Sequence, residues 1–299
     1  MSSKNSYKKT PADGSSEGLP EKLLLCRRIL AGLGPAAVAF SGGVDSALLL
    51  ALAVDVLGPV NVVAVLGRSA SLPAREREAA GALAGRLGVE LLEVETRELA
   101  CEAYVANPPD RCYHCKTELL QQVWAIVRPR GIEQVLTGAN ADDAGDVRPG
   151  LEALRTLGGR APLLEAGLTK AEVREASRRM GLPTAQKPAA ACLASRIPYG
   201  QRITAETLGQ VERAEDELHA LGFSGCRVRH HGPAARVEIA PADMDRAFRL
   251  RRQIVRGVRA AGFTYVALDL DGFRSGSANE VLAGAGPART GAAARRPEV

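Results

Sequence analysis

The stretch Ala36–Ser46 constrains this chain more than any other. Five apolar residues, Ala36-Ala37-Val38-Ala39-Phe40, run directly into Ser41-Gly42-Gly43-Val44-Asp45-Ser46, and a leucine-rich helical pattern, Ala47-Leu48-Leu49-Leu50, follows at once. A strand apolar on both faces belongs inside a parallel sheet covered by helices. Gly42 and Gly43 permit a backbone path closed to other residues and let the chain approach a ligand closely. The helix start supplies free N–H groups and a positive dipole end, to which Ser41 and Ser46 add hydroxyl donors. These residues together predict a phosphate cradle. It is neither the Gly-Lys-Ser/Thr loop of the common nucleotide triphosphatases nor a dinucleotide G-x-G-x-x-G.

Further apolar runs at Asn61–Leu66, Glu90–Val94 and Gln134–Thr137 read as strands, with helices near 46–57, 73–87 and 116–127 between them. Such alternation argues for an α/β fold, a parallel sheet with flanking helices. Another helix is predicted to begin at Thr169, where Thr169 and Glu172 have capping-box spacing, and to stop near Gly181 with Pro183 beyond it. An irregular stretch, 183–203, precedes a change of rhythm: a helix over 205–221, strands at Gly225–Arg229 and Ala235–Ile239, a helix over 242–261 and a strand at Tyr265–Leu270. That pattern predicts a smaller α+β domain. The expected organisation is a disordered start at 1–19, a nucleotide-binding domain over 20–200, the small domain over 201–283 and a disordered tail at 284–299.

The longest clear apolar run, Ala47–Val54, is far shorter than the ~20 residues of a membrane span. Lys4, Lys8 and Lys9 precede no apolar stretch before Leu23, so a secretory signal is not expected and a cytoplasmic protein is. The net charge of +5 suits anionic partners, and nucleotides or phosphorylated metabolites account for it without a nucleic acid. Without a secretion signal, the six cysteines point away from a disulfide framework and toward catalysis or metal ligation.

Thr137-Gly138-Ala139-Asn140-Ala141-Asp142-Asp143 follows a predicted strand and should lie at the carboxyl edge of the same sheet, bringing Gly138 and Asn140 to the nucleotide. Asp45, Asp142 and Asp143 are candidates for the Mg²⁺ that neutralises a leaving pyrophosphate. Arg111-Cys112-Tyr113-His114-Cys115-Lys116 places a C-x-x-C just before a predicted helix, where a thiolate is favoured, and Cys192 stands apart in Ala191-Cys192-Leu193-Ala194-Ser195-Arg196. A redox pair, a zinc site completed by His114 or Cys101, and separate inert cysteines all remain open on this spacing. Arg227 and Arg229 alternate along one strand, so they share a face and could grip a phosphate; the adjacent His230 and His231 have no assigned role.

The Ser41–Ser46 string resembles the PP-loop of the ATP pyrophosphatase superfamily, which includes NAD, GMP and argininosuccinate synthetases and tRNA-thiolating enzymes. Its members cleave ATP between the α and β phosphates and pass AMP to a substrate. Together with the Cys112 region, Thr137–Asp143, the Cys192 loop and Leu268-Asp269-Leu270-Asp271-Gly272-Phe273-Arg274-Ser275-Gly276-Ser277, it looks like the LarE family over about residues 20–283. That resemblance implies an ATP- and Mg²⁺-dependent sulfur transferase, assembled as a homo-oligomer, that serves nickel-pincer nucleotide biosynthesis for lactate racemase. The substrate it implies is pyridinium-3,5-dicarboxylate mononucleotide, whose carboxylate is adenylylated and then replaced by thiocarboxylate.

Family members differ in sulfur source. In one form a cysteine matching Cys192 surrenders its own sulfur and becomes dehydroalanine. In the other, cysteines matching Cys112, Cys115 and Cys192 hold a [4Fe–4S] cluster with one iron open to an added sulfide, which a sulfur-donor partner could supply. All three thiols are present here, which favours the cluster form. The resemblance further implies catalytic roles for Asp45 and Cys192, phosphate contacts by Ser195, Arg196, Arg227 and Arg229, and acidic positions of the same site at Glu215, Glu238 and Asp243. Two other classes share the loop. An amidotransferring NAD- or GMP-synthetase-like ligase has no need of three thiols, and a tRNA-thiolating enzyme needs an RNA-binding surface that the modest charge does not suggest.

Overall fold

Small and β-branched side chains buried on both faces make β1 (Ala36–Ala39) an interior strand of a wholly parallel sheet; a computed structural model describes residues 18–145, 149–188 and 191–274 of the chain. β2 (Val62–Arg68) pairs with β1 on one side and with β3 (Glu90–Glu95) beyond it, while β4 (Gln134–Thr137) pairs with β1 on the other side. The order is therefore β3-β2-β1-β4, in register with Val38 opposite Ala64 and Leu136. The chain leaves β1 toward β2 and β3 and then crosses back to place β4 on the other side of β1, which opens a crevice at the carboxyl ends of β1 and β4. The α/β class with flanking helices is as the alternation predicted.

The helices of the chain are α1 (Leu19–Ala31), α2 (Val44–Leu57), α3 (Ala74–Arg86), α4 (Glu102–Val105), α5 (Arg111–Val127), α6 (Pro149–Thr156), α7 (Pro162–Glu165), α8 (Lys170–Arg179), α9 (Ala205–Ala220), α10 (Met244–Arg249) and α11 (Arg251–Ala260). Of the described residues, those in 18–69, 74–97 and 112–187 form one compact unit and those in 70–73, 98–111 and 188–274 another. In the first, α2 is apolar nearly all round, and α1, α8 and the sheet cover it. Leu48, Leu49, Leu50 and Leu52 are wholly buried there, each stabilising the fold by roughly 1.5–3 kcal/mol. Toward the other side, Leu120, Val123 and Val127 of α5 pack with Val63, Val65, Leu92 and Val94 of the sheet.

In the second unit β5 (Cys226–His231) pairs antiparallel with β6 (Ala234–Ile239), and β6 pairs parallel with β7 (Tyr265–Leu268). Helices α9 and α11 pack on each other, and α9 packs on β5, giving the small α+β layer.

Three expectations need correction. The C-x-x-C lies inside a helix rather than before one: α5 starts at Arg111, whose N–H closes a turn onto the Pro108 carbonyl at 3.1 Å. The helix predicted over 242–261 is broken at Leu250, where ψ rises to 7° and the residue ends α10 and opens α11. Helix α1 was not anticipated, although Leu19, Leu23, Cys26 and Leu30 follow a helical period and all but Leu23 are buried. The disorder expected for 284–299 and most of 1–19, and the Ser275–Ser277 end of the terminal motif, lie outside the described residues. Among the described residues no helix is long and apolar enough to cross a membrane.

Candidate functional site

The cradle predicted from Ser41–Ser46 forms at the crevice. Gly42 takes φ 69°, and Gly43 is the N-cap of α2 in extended geometry with no side-chain cap, so the first amides of α2 lack intrahelical partners. Ser46 Oγ binds the loop together: it accepts from the Ser41 N–H at 3.3 Å, donates to the Gly43 carbonyl at 3.2 Å and lies 3.2 Å from Ser41 Oγ. What this offers chemically is an array of N–H and O–H donors at a positive helix end, suited to an anion.

The segment after β4 closes on the same helix. A Cβ on Gly138 would stand 2.6 Å from the Ser46 nitrogen and 2.8 Å from the Asp45 carbonyl carbon, so only glycine lets the two backbones meet. Asn140 is buried, and its Nδ2 donates to Asp45 Oδ1 at 3.0 Å while Lys170 Nζ, from the start of α8, ion-pairs with Asp45 Oδ2. Asp143 Oδ2 accepts from the Asn140 N–H and Asp142 Oδ2 from the Lys170 N–H, both at 3.0 Å. Ser41, Gly42, Gly43, Asp45, Ser46, Gly138, Asn140, Asp142 and Asp143 are thus brought together. Sequence reasoning missed Lys170, although it had found the capping box of Thr169 and Glu172 that begins the same helix; both halves of that box are present.

Cys112 and Cys115 sit one turn apart on the first turns of α5, Cys112 exposed and Cys115 half-buried. Cys192 belongs to the other unit, exposed at the start of the short turn Leu193–Arg196. Its neighbours Leu193 and Ala194 are fully buried, and the Leu193 N–H donates to the Ser71 carbonyl at 2.8 Å, so an accessible thiol stands on a fixed frame. Among the described residues no group of three or more His, Cys, Asp or Glu side chains has metal-ligand spacing. Cys26 and Cys226 are core residues, and burial pushes the Cys26 thiol up to about 12.

Beside Cys192, buried arginines and glutamates interlock. Arg196 donates from Nε and Nη2 to the two Glu215 oxygens at 2.8 and 3.0 Å, and its Nη1 reaches the carbonyls of Ala191 and Cys192 and Ser195 Oγ at 2.6, 3.2 and 3.1 Å. Arg229 makes the same fork with Glu238 at 2.8 and 3.1 Å and donates to the Ser195 carbonyl at 2.8 Å. Glu215, wholly buried, also accepts from the Val228 N–H at 3.0 Å. Arg227 lies over the Phe273 ring at 4.4 Å; burial, reinforced by Arg196 and Arg229, lowers its pKa to about 10.

This set holds three buried guanidiniums against two buried carboxylates, and the partly exposed Arg236 adds a further cation on Glu238 at 3.3 Å, so the net charge is positive and suited to a phosphate. Asp243 is not part of it: it ends the turn Pro241–Asp243, faces Arg246 at 3.9 Å and makes no hydrogen bond to these groups. Of the histidines, His230 is buried and His231 exposed. His230 packs edge-on against Phe263 and accepts from the Gly232 N–H at 3.3 Å, and burial lowers the pKa of both His230 and His231.

Comparison with known proteins fits this geometry. The NAD synthase family matches residues 31–118, which contain the phosphate loop. Over 245 residues, 82% of this chain and 89% of the relative, 38% of positions are identical to the pyridinium-3,5-bisthiocarboxylic acid mononucleotide synthase of Lactiplantibacillus plantarum. An uncharacterized protein of Synechocystis sp. is 42% identical over 88% of this chain and 99% of its own, and one of Methanocaldococcus jannaschii 24% identical over 80% and 90%.

Proposed function

The chain belongs to the LarE family of PP-loop, ATP-using sulfur transferases, and from that premise we propose that it converts pyridinium-3,5-dicarboxylate mononucleotide into the bis-thiocarboxylate. A substrate carboxylate attacks the α-phosphorus of ATP at the Ser41–Ser46 loop; the acyl adenylate forms and pyrophosphate leaves. The loop amides stabilise the charge that develops on the departing phosphates, and positioning rather than a protein general base lowers the barrier. Asp45 holds the loop in register through Asn140 and Lys170. Mg²⁺, when present, would draw on Asp142 and Asp143 together with phosphate oxygens, since it favours a few carboxylates plus phosphate.

Arg227 is the leading contact for the mononucleotide phosphate, with Arg229 and Arg196 fixed alongside by Glu238 and Glu215, and Ser195 contributes its hydroxyl. Asp243 has no role in this reading. The observation that carries the assignment is the exposed Cys192 thiol on the same short turn as Arg196 and Ser195, which sets a sulfur nucleophile beside the phosphate subsite. A sulfur nucleophile, sulfide or the Cys192 thiolate, attacks the activated carbonyl carbon and AMP departs; from Cys192 the thioester so formed is released by loss of the Cα proton and breakage of the Cβ–Sγ bond, which leaves dehydroalanine at 192, the thiocarboxylate, and one sulfur spent per protein molecule. Two rounds complete the product.

For the sulfur source, thiolates are the right donors for an iron–sulfur cluster, and Cys112 and Cys115 at one-turn spacing suit adjacent ligation; Cys192 would be the third ligand. Bound there, a [4Fe–4S] cluster would supply an iron with an open position for a sulfide. Sacrifice of Cys192 is the other source, and a homo-oligomeric, cytoplasmic enzyme with a sulfur-donor partner completes the proposal. The test is anaerobic reconstitution with iron and sulfide analysis, paired with mass spectrometry of Cys192 after turnover. Iron absent from the reconstituted protein and dehydroalanine at 192 would reject the cluster in favour of the sacrificial cysteine. Replacing Cys112 by Ala should abolish sulfur transfer only if the cluster is the source.

A further inference from the structure

Lys187 lies outside every motif, yet its ammonium reaches the phosphate loop. Nζ donates to the Gly42 carbonyl at 3.1 Å and ion-pairs with Glu76 at 2.6 Å, with only 19% of the side chain exposed. That reach is built into the fold. Arg174 of α8 donates to the carbonyls of Ala185 and Lys187 at 2.8 and 2.9 Å, and the N–H groups of Leu182 and Lys187 close turns onto the Ser177 and Thr184 carbonyls. Glu76 lies in the first turn of α3, and Ala80 of that helix would be 3.1 Å from a Cβ on Gly42. Gly42 is thus pressed by α3 on its Cα and held by Lys187 at its carbonyl.

A trans peptide is planar, so its C=O and N–H point to opposite sides. Holding the Gly42 carbonyl on Lys187 turns the N–H of Gly43 the other way. Among the described residues neither the Gly42 nor the Gly43 N–H has a hydrogen-bond acceptor, which leaves both for a ligand. Two successive glycines would otherwise let this peptide rotate. We infer that Lys187 is a positioning residue for the adenylylation proposed above: it fixes the Gly42–Gly43 peptide so that the Gly43 N–H is presented to the polyphosphate of ATP. Glu76 keeps the ammonium on the carbonyl rather than on the phosphates.

Isothermal titration of the whole protein with inorganic pyrophosphate and, separately, with adenosine tests this. Lys187→Met, which keeps the apolar stem, is expected to weaken pyrophosphate binding by about tenfold or more, the size of a lost charge-assisted hydrogen bond, and to leave adenosine binding as in the wild type. Lys187→Arg should recover part of the loss, because a guanidinium can still donate to the carbonyl. Unchanged pyrophosphate affinity in Lys187→Met, or an equal loss for adenosine, would overturn the inference. So would tighter pyrophosphate binding in Glu76→Gln, since a released ammonium that helped would be touching phosphate directly. Wild-type protein that binds pyrophosphate but shows no carboxylate-dependent exchange would sink the proposed reaction and leave these titrations decisive for Lys187. A wild type that binds no pyrophosphate would overturn both.

Discussion

Replacing Gly138 by alanine probes the joint between the β4 loop and the phosphate cradle. The added Cβ would stand 2.6, 2.8 and 2.9 Å from the Ser46 nitrogen, the Asp45 carbonyl carbon and the Ser46 Cα, all backbone atoms. No side chain can rotate away to relieve this, so one backbone has to shift by several tenths of an ångström. Overpacking of this kind costs about 1–3 kcal/mol, a loss of several degrees in melting temperature for a protein of this size. The functional cost should be larger. Displaced loop amides lose aim at the leaving pyrophosphate, and each such donor is worth about 2.7–4 kcal/mol, so carboxylate-dependent pyrophosphate release should fall at least about a hundredfold. Gly85→Ala is the control: it is exposed in α3 with open space around its Cα, and should stabilise by roughly 0.5–1 kcal/mol with full activity. Melting curves with a coupled pyrophosphate assay read both effects. Wild-type melting and turnover in Gly138→Ala would refute the claimed backbone contact.

Other consequences can be checked on the same preparations. Asp45→Ala releases both Asn140 and Lys170 and should remove pyrophosphate release; retained release would contradict its role in holding the loop. Arg229→Ala removes the two-pronged partner of the buried Glu238 and leaves it Arg236 Nη2 at 3.3 Å, so chemical denaturation should show a loss of up to about 3–5 kcal/mol, whereas Arg229→Met with Glu238→Leu should recover most of it. Arg227, with its pKa down at about 10, binds fewer protons folded than unfolded between that pH and its usual range. Stability should therefore rise with pH through that window and bear the cost of the charged form below it. Arg227→Met should accordingly raise the melting temperature at neutral pH while weakening nucleotide binding. A thiol reagent should modify Cys101, Cys112 and Cys192 in the native protein and reach Cys26 and Cys226 only on unfolding.

The parallel sheet was legible because its signal is local: β1, the turn and α2 are contiguous, and periodicity marks each without tertiary information. The phosphate loop was legible for the same reason, since Ser41, Gly42, Gly43 and Ser46 act through their own backbone and one short hydroxyl bridge. Lys170 and Lys187 were not, because they reach the loop from 125 and 145 residues away and lysines at a helix start or in an irregular stretch have no distinguishing pattern. Arg227 and Arg229 were found by alternation, but alternation could not show that Arg229 spends its fork on Glu238 while Arg196 spends its own on Glu215. Those pairings cross from a turn to a helix and from strand to strand, and only the folded register makes them.

The central claim is an acyl adenylate trapped by sulfur, and mass spectrometry of the product tests it most directly. Incubated with ATP, Mg²⁺, a sulfide source and pyridinium-3,5-dicarboxylate mononucleotide under anaerobic conditions, the protein should release AMP and pyrophosphate and yield a substrate in which carboxylate oxygen has been exchanged for sulfur. ADP in place of AMP, or an amide instead of a thiocarboxylate when ammonia is supplied, would contradict it.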